Sequence, residues 1–157
     1  MLLLDTGICV SLIHGKPPQV RQRFEQAIAG GVALYVSSVS AVELWSGIGG
    51  SALPARNKAR VETFLTGPFG ILDFDADDAA VAGQLRTEAE KQDMPLTAYD
   101  LLIVAQAVRR GMTMVTDRLW QFEWIVGLSL EDWTRQVKVD QKAEPTGSRR
   151  ESAAGRT

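Results

Sequence analysis

The order of the structural elements is first visible in MLLLDTGICVSLIHG, residues 1–15. Leu2 to Leu4 form a short apolar run that ends in Asp5, which predicts a strand. Apolar residues then recur at helical spacing until Gly15, which predicts a helix that ends at this glycine. The stretch is therefore typical of a strand followed directly by a helix, with an acid at the junction.

The same alternation continues along the chain. Three further apolar runs predict strands at Leu34–Val36, Ile71–Phe74 and Met112–Val115. Helices are predicted between the strands, from Pro17 or Pro18 to Gly30, from Ser40, from Pro54, from Ala76 to Gln92 and from Thr97 to Gly111. This alternation predicts an α/β fold, in which a mainly parallel sheet has helices on both faces and right-handed crossovers.

The composition limits the possible classes of protein. The chain has 157 residues, of which 45% are apolar, as expected for one domain with a sizeable core. The net charge is only -2, so any binding to RNA must be local. A single cysteine, Cys9, and a single histidine, His14, exclude an intrachain disulfide and a Cys/His zinc site, and they fit a reducing cytoplasm.

The two ends of the chain carry separate expectations. Asp5 interrupts the apolar start too early for a secretory signal, and no apolar run is long enough to span a membrane. Beyond about Val137 the chain is rich in polar residues without apolar periodicity. We therefore expect residues 1–137 to form the domain and residues 138–157 to form a polar, disordered tail.

Four acids follow the predicted strands or open the predicted helices. Parallel strands end at one edge of a sheet, and the helix after each strand begins at that edge. The acids expected there are Asp5, Glu43, Asp100 and Asp117.

Each acid also has an ordinary structural explanation as part of a helix cap. Ser40 with Glu43 and Thr97 with Asp100 fit the capping box, in which a hydroxyl residue precedes an acid by three positions. Other possible caps are Asp5 or Thr6 for the first helix, and Thr116 or Asp117 for the segment that contains Trp120. Both explanations can hold together.

The convergence of four carboxylates would favour a bound cation. Each like-charge contact near 4 Å costs about 4 kcal/mol at an effective dielectric constant of ~20. Oxygen-only ligands suit Mg²⁺ or Mn²⁺, which also bind phosphate oxygens. The expected reaction is hydrolysis of a phosphodiester, in which the metal activates water and stabilises the developing charge.

Four segments, in their order and spacing, resemble the PIN-domain family and specifically the VapC-type toxins of toxin–antitoxin systems. The segments are LLLDTGICVSLI, SSVSAVELWSGI, TAYDLLIVAQAV and MTMVTDRLWQFEWIVGLSLEDW. The resemblance covers roughly Met1 to Trp133 and implies a PIN-like three-layer α/β/α sandwich with four to five strands. It identifies Asp5 and Asp100 as the principal Mg²⁺ ligands.

The resemblance assigns the remaining residues of the site as well. Glu43 and Asp117 complete the four acids, and Thr6 and Thr116 occupy the hydroxyl positions beside them. Arg118 follows the last acid and is placed to contact phosphate. Family members commonly have Asn where this chain has Gly7, which affects contacts with substrate or around the metal ligands.

The family also implies a biological role. The expected activity is that of a growth-inhibiting endoribonuclease, a toxin that a small antitoxin neutralises. The antitoxin would insert a helix and usually a basic residue toward the acidic pocket, in competition with metal and RNA. A homodimer is also expected.

Several competing functions fit less well. A haloacid-dehalogenase-type phosphatase needs a second Asp where this chain has Gly7, and a receiver-like phosphoacceptor needs a Lys soon after the Met112–Val115 strand. A catalytically silent PIN-like binding module stays open, although the intact acids argue against it. Asp73, Asp75 and Asp77 imitate an EF-hand loop that lacks its glycine and its final Glu.

Overall fold

A computed structural model describes residues 1–94 and 96–135 of the chain. The strands are β1 (Leu2–Leu4), β2 (Leu34–Ser37), β3 (Gly70–Leu72), β4 (Thr113–Val115) and β5 (Ser129–Glu131). The helices are α1 (Thr6–His14), α2 (Pro18–Ala29), α3 (Ser38–Gly49), α4 (Pro54–Leu65), α5 (Ala76–Lys91), α6 (Ala98–Arg109) and α7 (Leu119–Phe122). The predicted α/β fold is confirmed.

The five strands form one sheet in the order β3-β2-β1-β4-β5, and every pairing is parallel. In this register Leu4 lies beside Val36 of β2 and Val115 of β4. The residues that follow these strands therefore lie at one edge of the sheet, near its centre. The backbone amide of Asp5 continues the pairing, because it donates to the carbonyl of Val115 at 3.0 Å.

Helices cover both faces of the sheet, and each face has its own apolar core. Adjacent residues of β1 point to opposite faces, so Leu4 joins one cluster and Leu3 the other. The first cluster contains the buried residues of α1 and α2, together with Trp133. The second contains Phe122 and the residues Ile103, Val104 and Ala107 of α6. This arrangement is the three-layer sandwich expected from the sequence.

Two predicted elements have different bounds in the structure. Helix α3 begins at Ser38 rather than Ser40, because Ser37 is the N-cap and accepts a hydrogen bond from the Val39 amide. β3 begins and ends earlier than predicted, at Gly70–Leu72. A Cβ at Gly70 would lie 2.9 Å from the ring of Tyr35, so a glycine is needed for this close approach of two strands.

The fifth strand was not predicted as a separate element. Ser129–Glu131 is three residues long and only partly buried, so it has no apolar run that marks it in the sequence. It forms because β4 offers an open edge with which it pairs. The predicted tail, residues 138–157, lies outside the described residues, as does the predicted domain end at 137.

No helix in the described part of the chain combines the length and apolar character needed to cross a membrane.

Candidate active site

Asp5 lies immediately after the central strand β1 and is fully buried. Of the two possible caps predicted for α1, Asp5 and Thr6, Asp5 is the N-cap. Its Oδ1 accepts a hydrogen bond of 2.8 Å from the Thr6 amide. Its Oδ2 accepts a second hydrogen bond of 2.8 Å from the hydroxyl of Thr116, at the end of β4. The carboxylate therefore has a fixed orientation at the sheet edge.

Asp100 lies in the first turn of α6 and is also buried. Thr97 is the N-cap of this helix, as predicted, and its hydroxyl accepts a hydrogen bond of 3.1 Å from the Asp100 amide. The same hydroxyl lies 2.7 Å from Asp100 Oδ2, to which it donates. Capping thus fixes the position of this carboxylate, as it does for Asp5.

Arg118 joins the two carboxylates. Its Nη2 lies 3.0 Å from Asp5 Oδ2 and 2.7 Å from Asp100 Oδ1. Its Nη1 lies 3.2 Å from Asp100 Oδ2. The two acids, which are distant in sequence, therefore meet at one cationic nitrogen. Arg118 was predicted to contact phosphate, and in this structure it pairs with these acids.

The pairing changes the ionisation of both partners. Burial alone would raise the pKa of Asp100, but hydrogen bonds from Arg118 and Thr97 hold that pKa below its ordinary value. Burial alone would lower the pKa of Arg118, but its bonds to Asp100 and the charge of Asp5 raise that pKa above its ordinary value. Asp100 is thus ionised at neutral pH and Arg118 is charged.

Gln121 belongs to the same network, although no sequence motif predicts this. Its side-chain amide donates to Asp100 Oδ2 at 3.0 Å, and its carbonyl oxygen accepts from Arg118 Nη1 at 3.0 Å. Gln121 comes from the four-residue helix α7, whose position depends on the tertiary fold. A glutamine in such a segment carries no local pattern that would mark it as part of a site.

Glu43 lies in the second turn of α3, not in its first turn. The predicted capping box of Ser40 with Glu43 is wrong, because Ser37 caps this helix. The hydroxyl of Thr6 contacts the Glu43 carboxylate and lies 3.0 Å from the hydroxyl of Ser40. Glu43 therefore joins the site through Thr6, whose amide contacts Asp5.

The ionisation of Glu43 differs from that of Asp100. Burial raises the pKa of Glu43 above its ordinary value, and the hydrogen bond from Thr6 only partly opposes this effect. The charges of Asp100 and Asp5 raise it further. Glu43 thus experiences the negative potential of both acids, and it forms no ion pair with a basic side chain among residues 1–94 and 96–135.

Asp117 is exposed at the rim of the site. An added Cβ at Gly7 would lie 3.4 Å from its Oδ1, so Asp117 faces the first turn of α1. The predicted caps by Thr116 or Asp117 are wrong, because α7 begins at Leu119 without a side-chain cap. The hydroxyl of Thr116 instead accepts a hydrogen bond of 3.1 Å from the Arg118 amide.

The four acids approach each other unequally. Arg118 bridges Asp5 and Asp100, Glu43 lies close enough for their charges to affect its pKa, and Asp117 lies at the rim. Among residues 1–94 and 96–135, no three acidic, His or Cys side chains are arranged to hold a metal ion as they stand. The donor set nevertheless suits one, because oxygens of Asp5 and Asp100 already share a single cationic atom, and hard divalent cations prefer oxygen ligands.

A second acidic cluster lies at the other end of α6. Asp75 caps α5 in a capping box with Asp78, whose carboxylate is buried. Asp75 and Asp78 form ion pairs with both Arg109 and Arg110, and Asp77 pairs with Arg109. The EF-hand resemblance is thus explained by a helix cap and ion pairs, which the sequence did not reveal.

The other candidate side chains have structural positions. Cys9 is buried in the first apolar cluster, where burial raises the pKa of its thiol, and His14 is exposed at the end of α1. Trp133 is in the core, whereas Trp45 and Trp120 are exposed. The single cysteine therefore has no access to substrate.

Comparisons with known proteins agree with this geometry. The family described as PIN domain matches residues 2–117. The tRNA(fMet)-specific endonuclease VapC of Shigella flexneri is 38% identical, and the match covers 84% of this chain and 97% of that protein.

Solved structures give the same result. DNA-bound VapBC from Salmonella typhimurium matches with a TM-score of 0.76 and 36% identity, covering 84% of this chain and 97% of that chain. VapBC2 from Rickettsia felis, bound to a promoter DNA fragment, matches with a TM-score of 0.77 and 32% identity, covering 84% and 98%. The four-acid edge, the five-stranded parallel sheet and these matches together establish that the chain belongs to the PIN-domain family.

Proposed function

We propose that this chain is a divalent-metal-dependent endoribonuclease that hydrolyses RNA phosphodiester bonds in the cytoplasm, as the toxin of a toxin–antitoxin pair. The observation that carries the proposal is the meeting of Asp5 and Asp100 at one cationic atom, at the carboxyl edge of the sheet. Two buried, hydrogen-bonded carboxylates at this position form a cation site before any ligand arrives. Relatives that cover most of this chain are named ribonucleases or endonucleases.

Asp5 and Asp100 are the principal ligands in this proposal, with Glu43 and Asp117 completing the site. Mg²⁺ and Mn²⁺ are the expected ions, because all four donors are carboxylates. When bound, such a cation polarises the phosphate and makes a water molecule a better nucleophile.

The protein's own groups supply position and charge. The N-cap contacts of Asp5 with the Thr6 amide and of Thr97 with Asp100 hold the Asp5 and Asp100 carboxylates in place before substrate binds, which limits the reorganisation that the reaction requires. Because the pKa of Glu43 is raised and that of Asp100 is lowered, Glu43 accepts a proton more readily than Asp100 does. Asp117 at the exposed rim is placed where the RNA enters.

The substrate class follows from the relatives. The enzymes of Shigella flexneri and Salmonella typhimurium are named for tRNA(fMet). We therefore propose tRNA(fMet) as the first RNA to test. With a net charge of -2, the protein as a whole does not attract a polyanion such as RNA, so we expect local contacts at the site to bind the RNA.

The expected protein partner is a small antitoxin, since the similar structures are VapBC complexes. A groove of about 470 Å³ lies between α1, α2 and α4. Phe24, Phe64 and Phe69 contribute its apolar part, and Arg56 and Arg60 lie at its border. An antitoxin segment with apolar and acidic side chains fits this surface.

A homodimer is also proposed. Val42 and Trp45 lie three residues apart on α3, the helix that carries Glu43, and both are exposed. Such side chains on one helix face are suited to an interface. Light scattering would measure the mass in solution, and Trp45→Lys should shift it toward the monomer.

The activity can be tested with purified protein and labelled tRNA(fMet). We expect cleavage with Mg²⁺ or Mn²⁺, none with a chelator, and none by Asp5→Asn, in which an amide replaces the carboxylate but retains the helix cap. Arg109→Gln is a matched control, because it removes a charge at the distant acidic cluster. Equal cleavage by wild type and Asp5→Asn would disprove the mechanism, and no RNA cleavage by folded, metal-loaded wild type would favour a silent binding module.

A further inference from the structure

The position at which Asp5 and Asp100 meet is filled by a side chain of the same protein. Arg118 Nη2 lies 3.0 Å from Asp5 Oδ2 and 2.7 Å from Asp100 Oδ1. A Mg²⁺ ion needs carboxylate oxygens at about 2.0–2.1 Å. The guanidinium and a metal ion therefore cannot use these two oxygens at the same time.

The guanidinium lies in a formed cradle. Nη1 contacts Asp100 Oδ2 at 3.2 Å and Gln121 Oε1 at 3.0 Å. The guanidinium carbon lies 5.7 Å from the centre of the Phe122 ring, close enough for a cation–π contact. Gln121 and Phe122 are buried. These contacts differ from those of a surface ion pair, in which solvent surrounds both partners.

The backbone also fixes the place of Arg118. Its amide donates to the Thr116 hydroxyl, and the same hydroxyl donates to Asp5 Oδ2. The side chain is nevertheless 35% exposed, so part of it borders solvent. The guanidinium thus has a route out of the pocket that requires no movement of the sheet.

We infer that Arg118 and the catalytic divalent cation are alternative occupants of the Asp5–Asp100 pair. Without metal, Arg118 neutralises part of the charge of the four acids and holds the two carboxylates together. A metal ion must displace it, because two cations at one position repel each other. The displaced guanidinium then faces the rim and is free to bind a phosphate of the RNA. This inference rests on the proposed metal site and adds a built-in competitor to it.

The first measurement uses the metal alone, without RNA. Wild type, Arg118→Gln and Arg109→Gln are stripped with chelator, and Mn²⁺ binding is measured by isothermal titration calorimetry. We expect Arg118→Gln to bind Mn²⁺ about tenfold more tightly than wild type, because the competing charge-assisted bonds are lost. Arg109→Gln removes the same type of side chain from the other cluster, so its Mn²⁺ affinity should equal that of wild type.

The second measurement is thermal unfolding with and without Mn²⁺. Metal-free Arg118→Gln should melt below metal-free wild type, because its four acids have lost their counter-ion. Saturating Mn²⁺ should raise its melting temperature by more than it raises that of wild type. Arg118→Lys keeps the charge but loses the bidentate contact, so it should bind Mn²⁺ with intermediate affinity. This variant replaces Arg118→Gln in both measurements if Arg118→Gln does not fold.

The Asp100→Asn variant shows whether a negative result contradicts the competition by Arg118 or the proposed metal site itself. Binding of Mn²⁺ to wild type but not to Asp100→Asn would support the proposed metal site. If, in that case, Arg118→Gln and Arg118→Lys bind Mn²⁺ no more tightly than wild type, Arg118 does not compete with the metal and the inference is overturned. If wild type and Arg118→Gln both fail to bind Mn²⁺, or if binding survives in Asp100→Asn, the proposed metal site itself is wrong.

Discussion

Two acidic clusters lie at the two ends of helix α6, and they use their arginines differently. At the N-terminal end are the site acids Asp5, Glu43, Asp100 and Asp117, with Arg118. At the C-terminal end are the acids Asp75, Asp77 and Asp78, with Arg109 and Arg110. The helix has 12 residues, which spans about 18 Å, so the clusters are distinct.

The charge balance distinguishes them. At the C-terminal end, three carboxylates face two guanidinium groups, and each carboxylate has an arginine partner. At the N-terminal end, four carboxylates face one guanidinium, and among the described acids it forms ion pairs only with Asp5 and Asp100. Within the described residues, neither Glu43 nor Asp117 forms a salt bridge with a basic side chain. The excess negative charge lies at the end where we propose a cation site.

The pKa shifts follow the same division. Burial would raise the pKa of Asp78, but hydrogen bonds from Arg110, Asp75 and Arg109 lower it to about 2. Burial and neighbouring acids raise the pKa of Glu43. A fully paired cluster thus stabilises the folded chain, whereas an incompletely paired cluster costs stability and gains an affinity for cations. Four predictions test this division.

The largest expected effect is on catalysis. Asp100→Asn should lower the rate of tRNA(fMet) cleavage by at least about a hundredfold, because even partners outside the direct metal contacts are worth 10–100-fold. The helix cap survives, because the Asp100 backbone amide forms it with the Thr97 hydroxyl, and the side-chain amide oxygen can still accept a hydrogen bond from that hydroxyl. Asp100→Asn should lower the unfolding free energy of the protein by less than Asp78→Asn does. Cleavage at the wild-type rate would show that the excess charge has no role in catalysis.

The largest effect on stability is expected at the other end of α6. Asp78→Asn leaves Arg109 and Arg110 without their buried counter-charge, which should lower the unfolding free energy by about 2–3 kcal/mol. The melting temperature should fall by roughly 5–10 °C. Cleavage per folded molecule should equal that of wild type. A loss of activity without a loss of stability would reverse the assigned roles.

The pH dependence of stability should depend on the same residue. The folded pKa of Asp78 is about 2 against an ordinary 3.8, so its stabilisation is complete above 3.8 and is lost as the pH falls toward 2. The difference in unfolding free energy between wild type and Asp78→Asn should therefore be largest near neutral pH and should shrink over that interval. Urea denaturation at several pH values measures it, and a constant difference would contradict the ion-pair assignment.

The smallest expected effect is at Glu43. Because its pKa is raised in the folded state, its ionised form costs stability at neutral pH, and this cost disappears as the pH falls and Glu43 is protonated. Glu43→Gln should therefore raise the melting temperature of the metal-free protein slightly, while it lowers Mn²⁺ affinity. Asp77→Asn changes an acid that is paired with Arg109; it is the matched control and should not raise the melting temperature. A clear fall in the melting temperature of Glu43→Gln would show that a favourable contact stabilises the Glu43 carboxylate in the folded protein.

Much of the fold was predictable because its signals are local. The strand at Leu2–Leu4, the helix from Pro18 and the cap at Thr97 are each determined by residues within a few positions. The start of α3 was missed because Ser37 and Ser40 are equally good caps in sequence. The strand at Ser129–Glu131 was missed because it forms only by pairing with β4.

The sequence by itself determined that acids follow the strands and open the helices, because strand ends and helix caps are short-range features. It therefore indicated the edge at which Asp5 and Asp100 lie. Only the tertiary structure decided which arginine belongs to which acids. Arg118 reaches Asp5 across 113 positions of the chain, and Arg110 reaches Asp78 across 32. Such pairs depend on the packing of whole elements, so no local pattern separates an arginine that fills the proposed metal site from one that holds two helices together.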